Sequence, residues 1–397
     1  METPPLEGCP SWFERACKKN IRGRNITQGD TMLSLAESWN YYQQLLLQQK
    51  DILASKADAD ALRYALDRFP LLRKVTITPA AHGFLNAPLY ETPMIRSFPR
   101  GFNYPIPRGW PLQEPGGPPY ELHPWNEEVE KSRWRGFCII MHELAKKKDH
   151  HISELIIDAN QLWTGLSCRV FDQPCEEYNN LVDLLRRPGF NHIDLTLLAD
   201  GQYYPGEDWS SFRSGYLKHT LSEARELLHM SLRTQMDFNQ FYRHGYSAIT
   251  KFTEHFIPLN TIFPVDKWQK IQHFGLSNFL VKREDLLSLL AAFPATLRSV
   301  ELSFLKFLSD RGNYRELLLD MRDTLDWRDR PANERIKVII HIEMQVWPIR
   351  YLCVDDQVNE YIYGNAANPF GNDTGPFGGR PMAGTSVERD PFDLTIH

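Results

Sequence analysis

The chain has 397 residues, with 45 Lys and Arg against 50 Asp and Glu, a formal charge of -5, and 42% hydrophobic and 24% charged residues. That is the composition of a water-exposed globular chain long enough to bury more than one core. Its slightly acidic balance lacks the electrostatic drive for non-specific nucleic-acid or anionic-membrane binding, so neither is expected as a partner.

Apolar runs are short, as at 137–141, against the roughly 20 residues a membrane helix needs. Residues 1–19 carry Pro4, Pro5, Glu7 and Glu14 where a secretory signal has a basic start and an apolar core. Six scattered cysteines (Cys9, Cys17, Cys138, Cys168, Cys175 and Cys353) read as reduced thiols. The expected location is the cytosol or nucleus.

In chain order, residues 1–29 are expected to be poorly ordered, and a folded region is expected over 30–363. A helical pattern at 57–68 stops before Pro70 and leads into the triplet Leu72, Val75, Ile77. Two residues separate the first pair of that triplet and one the second, so its end alternates with the period of a strand. Twelve of the 27 prolines then fall between Pro70 and Pro124, among Phe98, Phe102, Tyr104, Trp110, Tyr120 and Trp125. Ladder hydrogen bonding is blocked there, and 79–124 reads as a long aromatic loop inserted into the fold.

The triplet then returns as Ile152, Leu155, Ile157; Phe190, Ile193, Leu195; Leu227, Met230, Leu232; Ile271, Phe274, Leu276; and Leu297, Val300, Leu302. A looser seventh copy is Val338, Ile340, Ile342, with Ile340 as its middle residue. Amphipathic helical patterns at 133–147, 176–187, 216–227, 283–293 and 314–325 lie between copies. Residues 364–397, rich in Gly, Asn, Pro and Asp, read as a mobile tail.

Helix followed by strand, repeated, predicts an α/β chain with parallel strands. Residues flanking the buried triplet positions are polar, including Glu154, Asp158, His192, Asp194, His229, Arg233, His273 and Glu301. A doubly wound sheet would bury both faces, whereas a solenoid leaves one open. The expected fold is therefore an irregular leucine-rich-repeat-like solenoid, with parallel strands on the concave face and helices on the convex face. The eight polar residues are the expected partner-binding surface.

Four stretches carry a resemblance: 61–83 (ALRYALDRFPLLRKVTITPAAHG), 92–111 (TPMIRSFPRGFNYPIPRGWP), 171–190 (FDQPCEEYNNLVDLLRRPGF) and 297–321 (LRSVELSFLKFLSDRGNYRELLLDM). Over roughly residues 55–363 the chain resembles a family of filamentous-fungal proteins described as F-box or leucine-rich-repeat-like. That resemblance implies repeats that choose a substrate, and an N-terminal F-box that docks on the adaptor subunit of a cullin-type ubiquitin ligase. Residues 1–39 carry no recognisable F-box.

No motif reads as catalytic, and no cofactor or metal centre is expected. His142-Glu143 opens like a zinc-protease helix, but Lys146 stands where the second histidine belongs. Gly165-Leu-Ser167-Cys-Arg169 opens like a nucleophile elbow but ends in arginine. Cys168 and Cys175 are spaced too widely for a zinc knuckle, and Trp134, Trp163, Trp209, Trp268, Trp327 and Trp347 read as core. One coincidence stands out: His192, His229 and His273 each precede the middle apolar residue of their triplet, placing imidazoles about 4.8 Å apart on successive strands. The plain reading is a polar lining; a metal site or a pH-sensitive ladder is the alternative. The expected function is a non-enzymatic scaffold that binds a partner polypeptide, with a ubiquitin-ligase substrate receptor or an enzyme near Pro105 and Trp110 as alternatives.

Overall fold

Alternating buried and open positions turn the apolar triplets into strands. The computed structural model describes residues 9–23, 32–78, 91–106, 122–160, 162, 164–199, 209–235, 256–308, 311–344, 350–371 and 381–389. Within them lie β1 (Lys74–Ile77), β2 (Glu154–Ile157), the two-residue β3 (Leu166–Ser167), β4 (His192–Leu198), β5 (His229–Thr234) and β6 (His273–Ser277). They continue as β7 (Leu280–Val281), β8 (Ser299–Ser303), β9 (Lys306–Phe307) and β10 (Lys337–Ile339). The main sheet runs β1-β2-β4-β5-β6-β8-β10, entirely parallel and in chain order, with β3 paired to the end of β4. β7 and β9 form a separate parallel pair.

Register follows the triplets. Val75, Leu155, Ile193, Met230, Phe274 and Val300 lie side by side across the sheet. Val338 continues the row, so the seventh triplet is displaced by two residues from the expected middle position at Ile340. Leu155, Ile193, Leu195, Met230, Leu232, Phe274, Leu276, Val300 and Leu302 are almost wholly buried, each worth about 1.5–3 kcal/mol relative to exposure. Among the described residues of the wide gap before the second triplet no strand occurs, and β1 pairs directly with β2.

Helices fill the connections: α5 (Glu128–Arg133), α6 (Arg135–Lys146), α7 (Glu176–Leu185), α8 (Ser210–Arg213), α9 (Tyr216–Glu223), α10 (Arg283–Ala291), α11 (Tyr314–Thr324) and α12 (Asp355–Tyr363). They pack in succession, α6 on α7, α7 on α9, α10 on α11 and α11 on α12. Asn313 caps α11 by accepting from the Glu316 N–H at 2.9 Å, and α7 is followed by Gly189 at φ +86°. The open edge of β10 is covered by α12. Asn359 there accepts from the Val338 N–H at 3.0 Å and donates to the Val338 carbonyl at 2.8 Å, while Asp355 Oδ1 accepts from the Ile340 N–H at 3.0 Å. An exposed edge would otherwise invite pairing with another chain.

The chain resolves into two compact units rather than one body over 30–363. The first comprises the described parts of Met1–Leu72, Thr78–Gly117 and Ala159–Thr164; the second comprises those of Arg73–Ile77, Pro118–Asp158 and Gly165–His397. In the first unit, α1 (Ser11–Gly23) is helical within the segment 1–29 expected to be poorly ordered, of which residues 1–8 and 24–29 lie outside the described residues. Phe13 and Cys17, one turn apart, seal against Leu35, Trp39 and Tyr42, with the Phe13 and Trp39 rings 5.0 Å apart. α2 (Leu35–Ser55) begins with a Ser34–Glu37 capping box, α3 (Ala57–Arg68) follows Lys56 at φ +57°, and α4 (Pro93–Arg96) is short. Of the proline-rich stretch 79–124, residues 91–106 pack here: Phe102 lies 4.8 Å from Tyr41, and Asn103 donates to the Cys17 carbonyl at 3.0 Å. Residues 79–90 and 107–121 lie outside the described residues.

β11 (His341–Met344), which carries Ile342 of the seventh triplet, and β12 (Arg350–Cys353) form an antiparallel sheet with β13 (Val387–Arg389), so the expected tail 364–397 also contributes structure. Phe370 is fully buried, stacked on Tyr314 at 5.2 Å. No described helix is long and apolar enough to cross a membrane. Trp134, Trp209, Trp268 and Trp327 are buried as expected; Trp163 and Trp347 lie outside the described residues.

Candidate functional site

Because side chains alternate along a strand, the residues flanking the buried triplets must share the opposite face. Register orders them into rungs. The first holds Lys74, Glu154, His192, His229, His273, Ser299 and Lys337. The second holds Thr76, Ile156, Asp194, Ser231, Gly275, Glu301 and Ile339. In the third, Thr196, Arg233 and Ser277 align, with Asp158 just past the end of β2. All eight residues expected on this surface, Glu154, Asp158, His192, Asp194, His229, Arg233, His273 and Glu301, are partly exposed on this one face.

The histidines are brought together more closely than strand spacing alone requires. The rings of His192 and His229 stack at 3.9 Å with planes 5° apart, and those of His229 and His273 at 4.1 Å and 14°. Asp194 lies across the first pair. Its Oδ2 bonds His192 Nε2 at 3.2 Å, and its Oδ1 lies 2.9 Å from His229 Nε2. That second contact is poorly directed, leaving Oδ1 a buried oxygen without a well-formed hydrogen bond. Burial opposes ionisation of Asp194, but the two imidazoles outweigh it and hold the carboxyl well below the usual carboxylate range. His273 bonds Ser299 Oγ through Nδ1 at 2.7 Å. Burial first, then the neighbouring His229, pushes its pKa down to about 4.

Gly275 makes room for this arrangement. A methyl group there would come within 2.8 Å of Ser231 Oγ and 3.4 Å of His273 Nε2. Farther along, Ser277 Oγ donates to Glu301 Oε1 at 3.4 Å, which lies 4.0 Å from His341 Nδ1. Ser303 Oγ meets that same nitrogen at 3.1 Å. Sequence spacing places the three histidines in one row but does not announce Asp194 between two of them, nor Gly275 and His341. The available signal is His192-x-Asp194 within one strand, with another histidine at the same register on the next.

Other combinations of reactive residues resolve into structural roles. His142 pairs with Glu176 at 2.7 Å, Cys175 Sγ caps α7 by accepting from the Tyr178 N–H, and a Cβ on Gly165 would sit 2.7 Å from the Leu197 backbone. On the helical side, Leu144, Lys148, His150, Asp183, Arg186 and Arg187 line a cavity of about 310 Å³. Its arginines are engaged: Arg186 with Glu223 and Asp183, and Arg187 with the carbonyls of Lys148 and His150. A second mixed-ligand cluster, His341, Cys353 and Asp355, brings a nitrogen, a sulfur and an oxygen within 4.8 Å of one another. No family model, curated protein sequence or solved structure matches this chain.

Proposed function

We propose that this chain is an irregular leucine-rich-repeat-like solenoid acting as a non-enzymatic interaction scaffold, with the polar sheet face as its concave, partner-binding side. The observation that carries this reading is the asymmetry of the sheet: from β2 to β8 its triplet face is buried, while the first two rungs of the opposite face leave charged and imidazole side chains partly open. A row of similar strands offers an extended polypeptide many equivalent contact positions, and the residues displayed at each rung set specificity.

The test is quantitative capture of cross-linked partners by the wild-type chain and by the quadruple variant Glu154→Ala, Asp158→Ala, Arg233→Ala and Glu301→Ala, which leaves the histidine row intact. A partner of this face loses at least about tenfold in affinity, with the variant's melting temperature measured alongside because all four side chains are half-buried and Glu301 accepts from Ser277. Equal binding of every partner by both proteins refutes the reading.

A second reading, substrate receptor of a cullin-type ubiquitin ligase, draws on the helical N-terminal unit. Leu47, Ile52, Leu53, Tyr64, Phe69 and Leu71 are exposed there, an apolar surface of the kind that docking elements present. It requires the ligase adaptor to co-purify with the full chain and to be lost on Leu53→Asp with Phe69→Asp.

A further inference from the structure

The clearest cluster of potential metal ligands sits on the polar face itself. His192 and Asp194 are two residues apart on β4, and His229 occupies the His192 rung on β5. Alternation therefore points all three side chains to one side, with no loop needed to gather them. One ring nitrogen of each histidine and a carboxylate oxygen of Asp194 lie mutually within 4.8 Å, and the two Nε2-to-oxygen separations are 2.9 and 3.2 Å. A divalent ion with bonds of about 2.0–2.1 Å to nitrogen and oxygen holds neighbouring ligand atoms about 3.0–3.4 Å apart. The observed edges already approach that spacing.

Three further observations favour a cation over an internally satisfied cluster. Asp194 Oδ1 is buried without a well-directed hydrogen bond, so an acceptor is available where a ligand is needed. The nearest charged residue in the His192 rung is Glu154 on β2, Lys74 and Lys337 lie at the two far ends, and Arg233 stands on the same face of β5 beyond Ser231. Side-chain exposures of 24–29% leave an entry path for an ion.

We propose that His192, Asp194 and His229 form a binding site for a divalent first-row transition ion, with water completing its coordination. Two imidazoles and one carboxylate suit zinc, iron(II), cobalt(II) or nickel(II) better than calcium or magnesium. Each Nε2 supplies its lone pair and the imidazole proton resides on Nδ1, while the carboxylate offsets one of the two positive charges. The parallel rings must each turn so that their lone pairs converge, a rotation about the soft torsion between Cβ and the ring. His273 lies two strands from His192, with the His229 ring stacked between them, and cannot share the same ion with it. Its place is beside His229, where it packs against one wall of the site.

This inference goes beyond the scaffold reading and holds whether or not a polypeptide binds the face. The test uses the untagged full chain, stripped with chelator and titrated with zinc chloride by calorimetry. One equivalent bound with a micromolar dissociation constant is expected, weakened by about 100-fold or more in Asp194→Ala and in His229→Ala, with Cys353→Ser unchanged. Cobalt(II) substitution gives a readout independent of how the variants fold: visible ligand-field bands without an intense near-ultraviolet thiolate band. Absence of zinc binding tighter than about 1 mM overturns the proposal, as does a thiolate band or binding that survives Asp194→Ala but is lost in Cys353→Ser. The last two results place the ion at His341, Cys353 and Asp355 instead.

Discussion

Asn359 is the sharpest structural test because one side chain satisfies two backbone groups on the last strand of the sheet. Its Oδ1 accepts from the Val338 N–H at 3.0 Å and its Nδ2 donates to the Val338 carbonyl at 2.8 Å. Val338 is fully buried, and β8 occupies the other side of β10. Asn359→Ala strands one donor and one acceptor, each costing about 1–3 kcal/mol when water cannot replace the partner. Partial access of water at a sheet edge brings the sum to about 2–4 kcal/mol. For a unit of this size that lowers the melting temperature by roughly 4–16 °C. Asn359→Asp keeps the acceptor for the Val338 N–H but sets a carboxylate against the carbonyl, so it should be no more stable than the alanine variant. Urea denaturation measures both. A loss below about 0.5 kcal/mol for Asn359→Ala, with unchanged cooperativity, refutes the idea that α12 holds the edge through this contact.

Acid titration should show two windows. Burial, then the Arg187 charge, pushes the His150 pKa down to about 4, and its Nδ1 accepts from the Ile152 N–H at 3.1 Å; His273 is also held near 4. The unfolded chain takes up these protons near the ordinary value of 6.5, so the stability these sites contribute is present above that pH and is lost as pH falls towards 4. The slope is at most about 1.4 kcal/mol per pH unit for each histidine. Below about 4, protonation of Asp194 and Glu177, both lowered in the fold, removes further stability. Denaturation free energies in chelator that stay flat between pH 7 and 5 contradict this assignment. Separately, Gly275→Ala forces Ser231 and His273 to shift and should cost about 1–3 kcal/mol, with the His273 ring resonances moving in NMR spectra; unchanged stability and resonances show that the position is not crowded.

The sheet is legible in the sequence where one face is sealed and its residues are strongly apolar. Ile193, Met230, Phe274 and Val300 recur with a period that only a half-buried strand explains. The helical pattern at 283–293 is equally clear, because Leu286, Leu289 and Leu290 fill its buried stripe, and that at 57–68 is clear although Leu66 is its one buried residue. The reading fails where burial is made by other means. In α1 the buried stripe is Phe13, Cys17 and Asn20, of which one is polar and one a thiol, so the apolar pattern is too sparse to read. β12 and β13 are held by antiparallel pairing between residues more than 30 apart, and a single sequence carries no local trace of that pairing. Val338 displaces Ile340 because the triplet pattern there fits equally well two residues away; pairing to β8 decides between them.

The candidate site was legible as a set of positions but not as a network. Strand parity alone puts His192, Asp194, His229 and His273 on one face, whereas their interactions depend on which way each ring turns. Once turned, those residues spend much of their polarity on one another: His192 on Asp194, His273 on Ser299, and Ser277 on Glu301. Among the described residues, Lys74, Glu154 and Lys337 make no side-chain hydrogen bond or ion pair, and Lys74 and Lys337 are exposed. The two kinds of residue must serve a ligand differently. Charges at the ends of the first rung can steer a charged partner at little cost, an effect that weakens as salt is added. His192 and His273 can gain a ligand only by giving up hydrogen bonds they already make, whereas Asp194 Oδ1 has no well-formed one to give up. The proposed metal site therefore falls on the hydrogen-bonded centre of the face and the proposed polypeptide contacts on its unpaired ends.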